Sequence, residues 1–230
     1  MAPQVQTPFL VTLTSPSAAG KSHLLNYIRE IGYSCFVSTT TRSPRKGELE
    51  GVDYYFISNE ESRRIEENDE FVELVSYNGN RYGITRKEIT KKLSSGLAFL
   101  IVEPEGLGHV IEFAPRFNAV HLKYYIHTDP EVRLARFKQR VKSDVTAVMN
   151  KRTNGNVVEE MLKTEEVLRT VMTSINRLVT MTTIEMQWGQ STDWTRVLMG
   201  TDTSIHNLKI ILDDVEKMKE KLNECRLTHE

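Results

Sequence analysis

Gly20-Lys21-Ser22 follows a short apolar run at residues 9–13. It opens an amphipathic stretch with Leu24, Leu25 and Ile28 on one face. A strand, a turn and a helix in that order make an anion cradle. The N–H groups of the turn and of the helix N-terminus converge, and the helix dipole favours negative charge there. Lys21 adds an ammonium with three donors, and Ser22 adds a hydroxyl for a hard divalent cation. Two more cations, Arg42 and Arg45, are separated only by Ser43-Pro44. The proline stiffens that loop so that both guanidinium forks converge, and paired forks match a phosphate dianion in shape as well as charge. Moving a phosphoryl group between two such cradles needs no covalent intermediate. A phosphate oxygen is already a nucleophile, so positioning and charge neutralisation supply the catalysis.

The residue pattern says which elements must position these groups. Residues 9–13 read as an inner parallel strand. The helix after it runs to about Ile31, with Gly32 as its stop, and residues 33–37 form a second short strand. A polar, glycine-punctuated loop carries both arginines to a helix over 59–68, capped by Ser58 or Asn59. Asn78-Gly79 between two β-like runs predicts a hairpin. A helix over 85–93 ends at Ser94-Ser95-Gly96, and the apolar run 97–102 predicts another inner strand. That strand delivers Glu103 and Glu105 to the sheet edge where open α/β folds bind ligands. Residues 120–127 form a strand, and Asp129-Pro130 starts a helix whose Arg136 and Arg140 share a face. Residues 157–186 keep helical spacing, and 194–199 predict the last strand. Thr203 or Ser204 then caps a final amphipathic helix to about Leu222.

The whole chain, 230 residues long with a net charge of −1, fits one large domain. It has no overall pull toward nucleic acid or a membrane surface, so phosphate sites must come from local clusters. Cys35 and Cys225 lie far apart, and no structural disulfide is expected. The N-terminus lacks the basic and apolar regions of a signal peptide. No run nears the roughly 18 apolar residues of a membrane span. These features predict a cytoplasmic protein, monomer or homodimer, without nucleic-acid or membrane partners.

The first turn is similar to the phosphate-binding loop G-x-x-x-x-G-K-[ST], with Ser15 where the first glycine belongs. By that likeness Ser15, Pro16, Ser17, Ala18, Ala19, Gly20, Lys21 and Ser22 hold ATP. Lys21 lies along its β/γ-phosphates and Ser22 reaches Mg²⁺. Downstream, S-x-T-T-R-x-P-R-x-G-E-x-x-G-x-D-Y-x-F begins at Ser38, E-F-V-E ends at Glu73, and N-R-Y-G ends at Gly83. Together these motifs resemble the guanylate kinase family. The resemblance implies an α/β fold: a P-loop NTPase-like, mostly parallel sheet wrapped by helices. Its core spans 8–37, 97–136 and 194–223. A monophosphate-binding subdomain covers 38–96, a lid about 137–156, and an extra helical segment about 157–193.

The same resemblance assigns roles. Ser38, Arg42, Arg45, Tyr54 and Tyr82 grip the acceptor phosphate. Glu73 accepts from guanine N1 and the 2-amino group. Glu103 and Glu105 match an aspartate pair that holds Mg²⁺ through water or contacts the acceptor nucleoside. Arg136, Arg140 and Arg152 close on the ATP phosphates, with Lys163 as a rival to Arg152. The sequence departs where a hydroxyl residue normally follows Tyr82-Gly83; Ile84 stands there, with Thr85 one place later. The implied reaction moves the γ-phosphoryl group of ATP to GMP or dGMP with Mg²⁺, giving ADP and the diphosphate. The alternatives are a monophosphate kinase of shifted or modified-base choice and a non-catalytic guanylate-kinase-like binding module.

Overall fold

All six residues of β1 (Phe9–Thr14) are buried. Such burial requires a neighbouring strand on each side and a cover on each face. The computed structural model, which describes residues 7–16, 18–44, 47–77, 79–102, 104–150, 157–188 and 193–227, supplies both. β7 (Leu97–Ile101) and β8 (Val120–His127) flank β1 in parallel. β2 (Ser34–Cys35) and β9 (Arg196–Met199) extend the sheet in parallel, in the order β2-β7-β1-β8-β9.

Alternation along β1 divides the core in two. Phe9, Val11 and Leu13 face α1 (Lys21–Glu30) and α7 (Ser204–Leu227), which contribute Leu24, Ile28, Leu208 and Ile211. Leu10, with Ala98 and Leu100 of β7, packs on the other side. There it meets Ile89 and Leu93 of α3 (Arg86–Leu93) and Leu107 and Val110 of α4 (Pro104–Phe113). Each fully buried aliphatic side chain contributes about 1.5–3 kcal/mol.

A second sheet grows from the end of β2. It contains β3 (Thr39–Thr40), β4 (Tyr55–Phe56), β5 (Phe71–Tyr77) and β6 (Asn80–Thr85), in the order β4-β3-β6-β5. The hairpin turns at Gly79, where φ is 70°. α2 (Asn59–Glu67) begins where the Ser58 hydroxyl accepts the Glu61 N–H at 3.0 Å. Buried Glu88 of α3 ties the two sheets together. It accepts the Val37 N–H at 3.0 Å and the Tyr55 hydroxyl at 3.3 Å. Burial and the Glu88 carboxylate raise the pKa of that Tyr55 phenol.

Several expectations need correction. The stretch after β7, to which the sequence reading gave no element, is helix α4. α5 (Pro130–Met149) runs unbroken through the expected core–lid boundary at 136/137. α6 (Val157–Trp188) then packs on α5. β2 has two residues rather than five: Phe36 still donates to Phe99 O at 2.9 Å, but the Val37 N–H goes to the Glu88 side chain at 3.0 Å and leaves the ladder. Among the described residues no helix is long and apolar enough to cross a membrane.

Candidate functional site

The turn after β1 is shaped by two left-handed residues, Ala18 at φ 64° and Gly20 at φ 114°. An L-residue pays about 1–2 kcal/mol for that conformation, and glycine almost nothing. Ser15 is not among the positive-φ residues, which explains why the first glycine of the pattern is dispensable here. Lys21 is only 8% exposed, and its Nζ donates to the Ser15 carbonyl at 2.6 Å. Its ammonium is thus held in the bend of the loop. Gly20 is the N-cap of α1, and no side chain takes the cap hydrogen bond.

Fixed donors take up the loop's carbonyls. The Thr128 hydroxyl, just past β8, donates to Ala19 O at 2.8 Å. Arg136 of α5 donates through Nη1 to Ala18 O and Ala19 O, at 3.4 and 3.2 Å. Its Nη2 donates to Gly200 O at 3.2 Å. Gly200 is wedged so tightly against Thr128 Oγ1 and Ala19 O that a Cβ would collide with both. Sequence reasoning missed Thr128 and Gly200. Their only signal is position: each directly follows a parallel strand at its carboxyl end.

Residues in and beside the second sheet form an aromatic box around Arg42. Its guanidinium stands 5.4 Å from the Tyr54 ring centroid and 5.9 Å from that of Phe56. Tyr54 and Tyr82 meet edge-on at 6.1 Å. Nη1 and Nη2 of Arg42 bind both oxygens of Glu48, at 3.0 and 2.8 Å. Burial works against the charge, but the Glu48 carboxylate and the Tyr82 phenol outweigh it, so the Arg42 pKa is raised. Glu48 belongs to the quoted motif, yet its partnership with Arg42 was not foreseen.

Glu73 lies on β5, where a bulge between Phe71 and Glu73 shifts the register against β6. Its carboxylate sits so close to Gly106, in the first turn of α4, that any Cβ there would strike it. A carboxylate at a helix N-terminus is favoured by the dipole. Ile84, the register partner of Glu73, is 1% exposed and packs in the core with Val102 and Leu107. Thr85 is half-buried, and its hydroxyl accepts the Glu88 N–H at 3.3 Å as the cap of α3.

The sheet brings these clusters to one edge. β1, β2, β7 and β8 run parallel, so their carboxyl ends lie together. Only β7 separates β2 from β1, a spacing of roughly 10 Å at two strand widths. The phosphate loop leaves β1 at that edge, Ser38 follows β2, and Thr128 follows β8. Arg140 is exposed on α5, one turn beyond Arg136, and Lys163 is half-buried on α6. Ser22, in the first turn of α1, is exposed. Glu105 falls in α4. Ser17, Arg45, Glu103 and Arg152 lie outside the described residues.

A parallel sheet with a phosphate loop after its middle strand, and a small arginine-bearing sheet at the same edge, defines a P-loop NTPase-like fold. The family model for guanylate kinase matches residues 8–182. The guanylate kinase of Fusobacterium nucleatum is 37% identical over 127 residues, 54% of this chain and 69% of its own length. That of Streptomyces kasugaensis is 31% identical over 171 residues, 73% of this chain and 82% of its own. Against the guanylate kinase of Trichodesmium erythraeum, 38% identical, the aligned stretch spans 56% of that protein. The crystal structure of guanylate kinase from Anaplasma phagocytophilum shares the fold, with a TM-score of 0.57 over 93% of this chain and 87% of that chain, at 19% identity. This chain belongs to the guanylate kinase family. The matched span takes in most of α6, which the sequence reading set apart as an addition.

Proposed function

We infer that this chain is an ATP-dependent guanylate kinase, moving the γ-phosphoryl group of ATP to GMP and giving ADP and GDP. The observation that carries it is the placement of two phosphate-holding clusters at one sheet edge in a chain of this family. Lys21 and the α1 N-terminus hold the donor phosphates and offset their charge as it shifts. Arg136 and Arg140 stand on the helix beside that loop to add positive charge. Arg42, set on Tyr54 and near Tyr82, holds the acceptor phosphate in line, joined by Ser38 and Arg45. Glu73 offers two acceptors to the two donors of the guanine edge, and adenine lacks that pair.

Mg²⁺ fits the residues present. Among the described residues no cluster of three acidic, histidine or cysteine side chains exists to hold a metal. Mg²⁺ held chiefly by nucleotide phosphates and water needs little more than the Ser22 hydroxyl. When bound, it would neutralise charge on the phosphates being parted.

An ADP-release assay across a panel of nucleoside monophosphates tests the assignment. GMP should be the best acceptor, with dGMP close behind. Strong turnover of another monophosphate beside weak turnover of both would overturn it. Lys21, buried in an intact loop, speaks against a non-catalytic binding module, and calorimetry with Mg²⁺-ATP separates the two.

A further inference from the structure

Glu88 is 4% exposed, and no step of the proposed reaction uses it. A carboxylate so buried costs free energy unless donors surround it. Its donors come from across the junction between the two sheets. Oε1 accepts the Val37 N–H at 3.0 Å and Oε2 the Tyr55 hydroxyl at 3.3 Å, with Lys92 Nζ 3.8 Å from Oε1. The helix that carries Glu88 is fixed to the parallel sheet, because Ile89 and Leu93 share a buried cluster with Ala98 and Leu100. Val37 immediately precedes Ser38, and Tyr55 lies on β4. One side chain rooted in the core thus grips the second sheet at its entry and at its edge.

The short strand β4 needs that grip. It is two residues long and lies at the edge of its sheet, so few ladder bonds secure it. The Tyr55 N–H donates to Ser38 O and the Ile57 N–H to Thr40 O, each at 2.9 Å. Side chains alternate along an extended chain. Tyr55 reaches Glu88, and its neighbours Tyr54 and Phe56 turn the other way. Both of those rings stand against the Arg42 guanidinium, at 5.4 and 5.9 Å. A displaced Tyr55 would carry the wall beside Arg42 with it.

We propose that Glu88 is a positioning residue for the acceptor. By taking the Tyr55 hydroxyl it sets β4, and through Tyr54 and Phe56 it sets the Arg42 guanidinium for the phosphate of a nucleoside monophosphate. The proposal rests on the kinase reading above and extends the acceptor site to a carboxylate that touches no substrate. A carboxylate suits the task because it has two acceptor oxygens and no donor. It receives a bond from the chain entering the second sheet and another from β4 at once.

The test is steady-state kinetics of Tyr55→Phe, with GMP and ATP varied in turn. The phenyl ring fills the same space and lacks only the hydroxyl. kcat/KM for GMP should fall about tenfold, the size of one hydrogen bond to a charged group, with the KM for ATP unchanged. Glu88→Ala should show at least that loss and Glu88→Gln little of it. The glutamine oxygen still takes the Val37 N–H, and its amide N–H donates to the phenol oxygen. Adding Tyr55→Phe to Glu88→Ala should cost nothing further, because the bond is already gone. Unchanged GMP constants in Tyr55→Phe overturn the proposal, as does an equal rise in both KM values, the mark of general loosening. If GMP binds the wild type without being phosphorylated, the kinase reading fails instead. Calorimetric GMP affinities of the wild type and Tyr55→Phe then decide the role of Glu88. GMP that does not bind at all overturns both.

Discussion

Gly106 has no room for a side chain, because the Glu73 carboxylate occupies the space a Cβ would take. Gly106→Ala should push Glu73 away from the α4 N-terminus and raise the KM for GMP roughly tenfold, leaving the KM for ATP unchanged. Steady-state kinetics with each substrate varied in turn reads this, and an unchanged GMP constant would separate Glu73 from base recognition. Lys21→Ala removes the ammonium held at the loop carbonyl. Turnover should fall by at least about a hundredfold with the circular dichroism spectrum preserved. At this scale the sequence was most legible where chemistry and backbone demand coincide, as at Gly20 and Lys21. It was least legible where a residue acts by fitting. Glu88 and Thr128 hold the site through Tyr55 and Ala19, 33 and 109 positions away in the chain, and Gly200 packs on Ala19 from farther still, so no local pattern marks them.

Element boundaries followed local rules where the caps are strong. Ser58, Thr85 and Thr203 accept the N–H groups of Glu61, Glu88 and His206, and each opens a helix. α4 escaped notice because two glycines lower its helix propensity, while packing of Leu107, Val110 and Phe113 on β7 and β1 restores it. α7 was foreseen from its stripe, and its interior shows why: Leu208, Ile211 and Val215 are all under 5% exposed. Ile211→Ala should cost about 2–5 kcal/mol, seen as a lower urea midpoint at unchanged slope. A loss below 1 kcal/mol would mean that α7 only leans on the sheet. The tie between α7 and the sheet is also polar. Asp214 accepts from Tyr124 at 3.1 Å and pairs with both Nη2 and Nε of Arg196.

Acid sensitivity belongs to the molecule as a whole, because it sums over every group that titrates differently once folded. His121, on β8 with Nε2 2.9 Å from Thr12 Oγ1, is the clearest contributor. Burial, aided by the Lys123 cation, lowers its pKa from 6.5 to about 4. An unfolded chain takes up this proton near pH 6.5, and the folded one only near 4. Stability is therefore complete above pH 6.5 and falls as pH drops through that window, by at most roughly 3 kcal/mol from this group. Urea midpoints at pH 7 and pH 4.5 should drop less for His121→Gln than for the wild type; equal drops would place the acid sensitivity elsewhere. The α/β architecture was readable overall, because inner parallel strands are unmistakably apolar. No break in α5 marks residues 136–137, where the core was expected to pass into the lid.

Gly200 sits where the last strand ends, yet it braces a loop made near the start of the chain. A ribosome delivers that loop first and its brace 181 residues later, from Ala19 to Gly200. The nascent protein thus emerges with its nucleotide grip unfinished. Completion of the loop therefore waits on synthesis of the chain as far as Gly200.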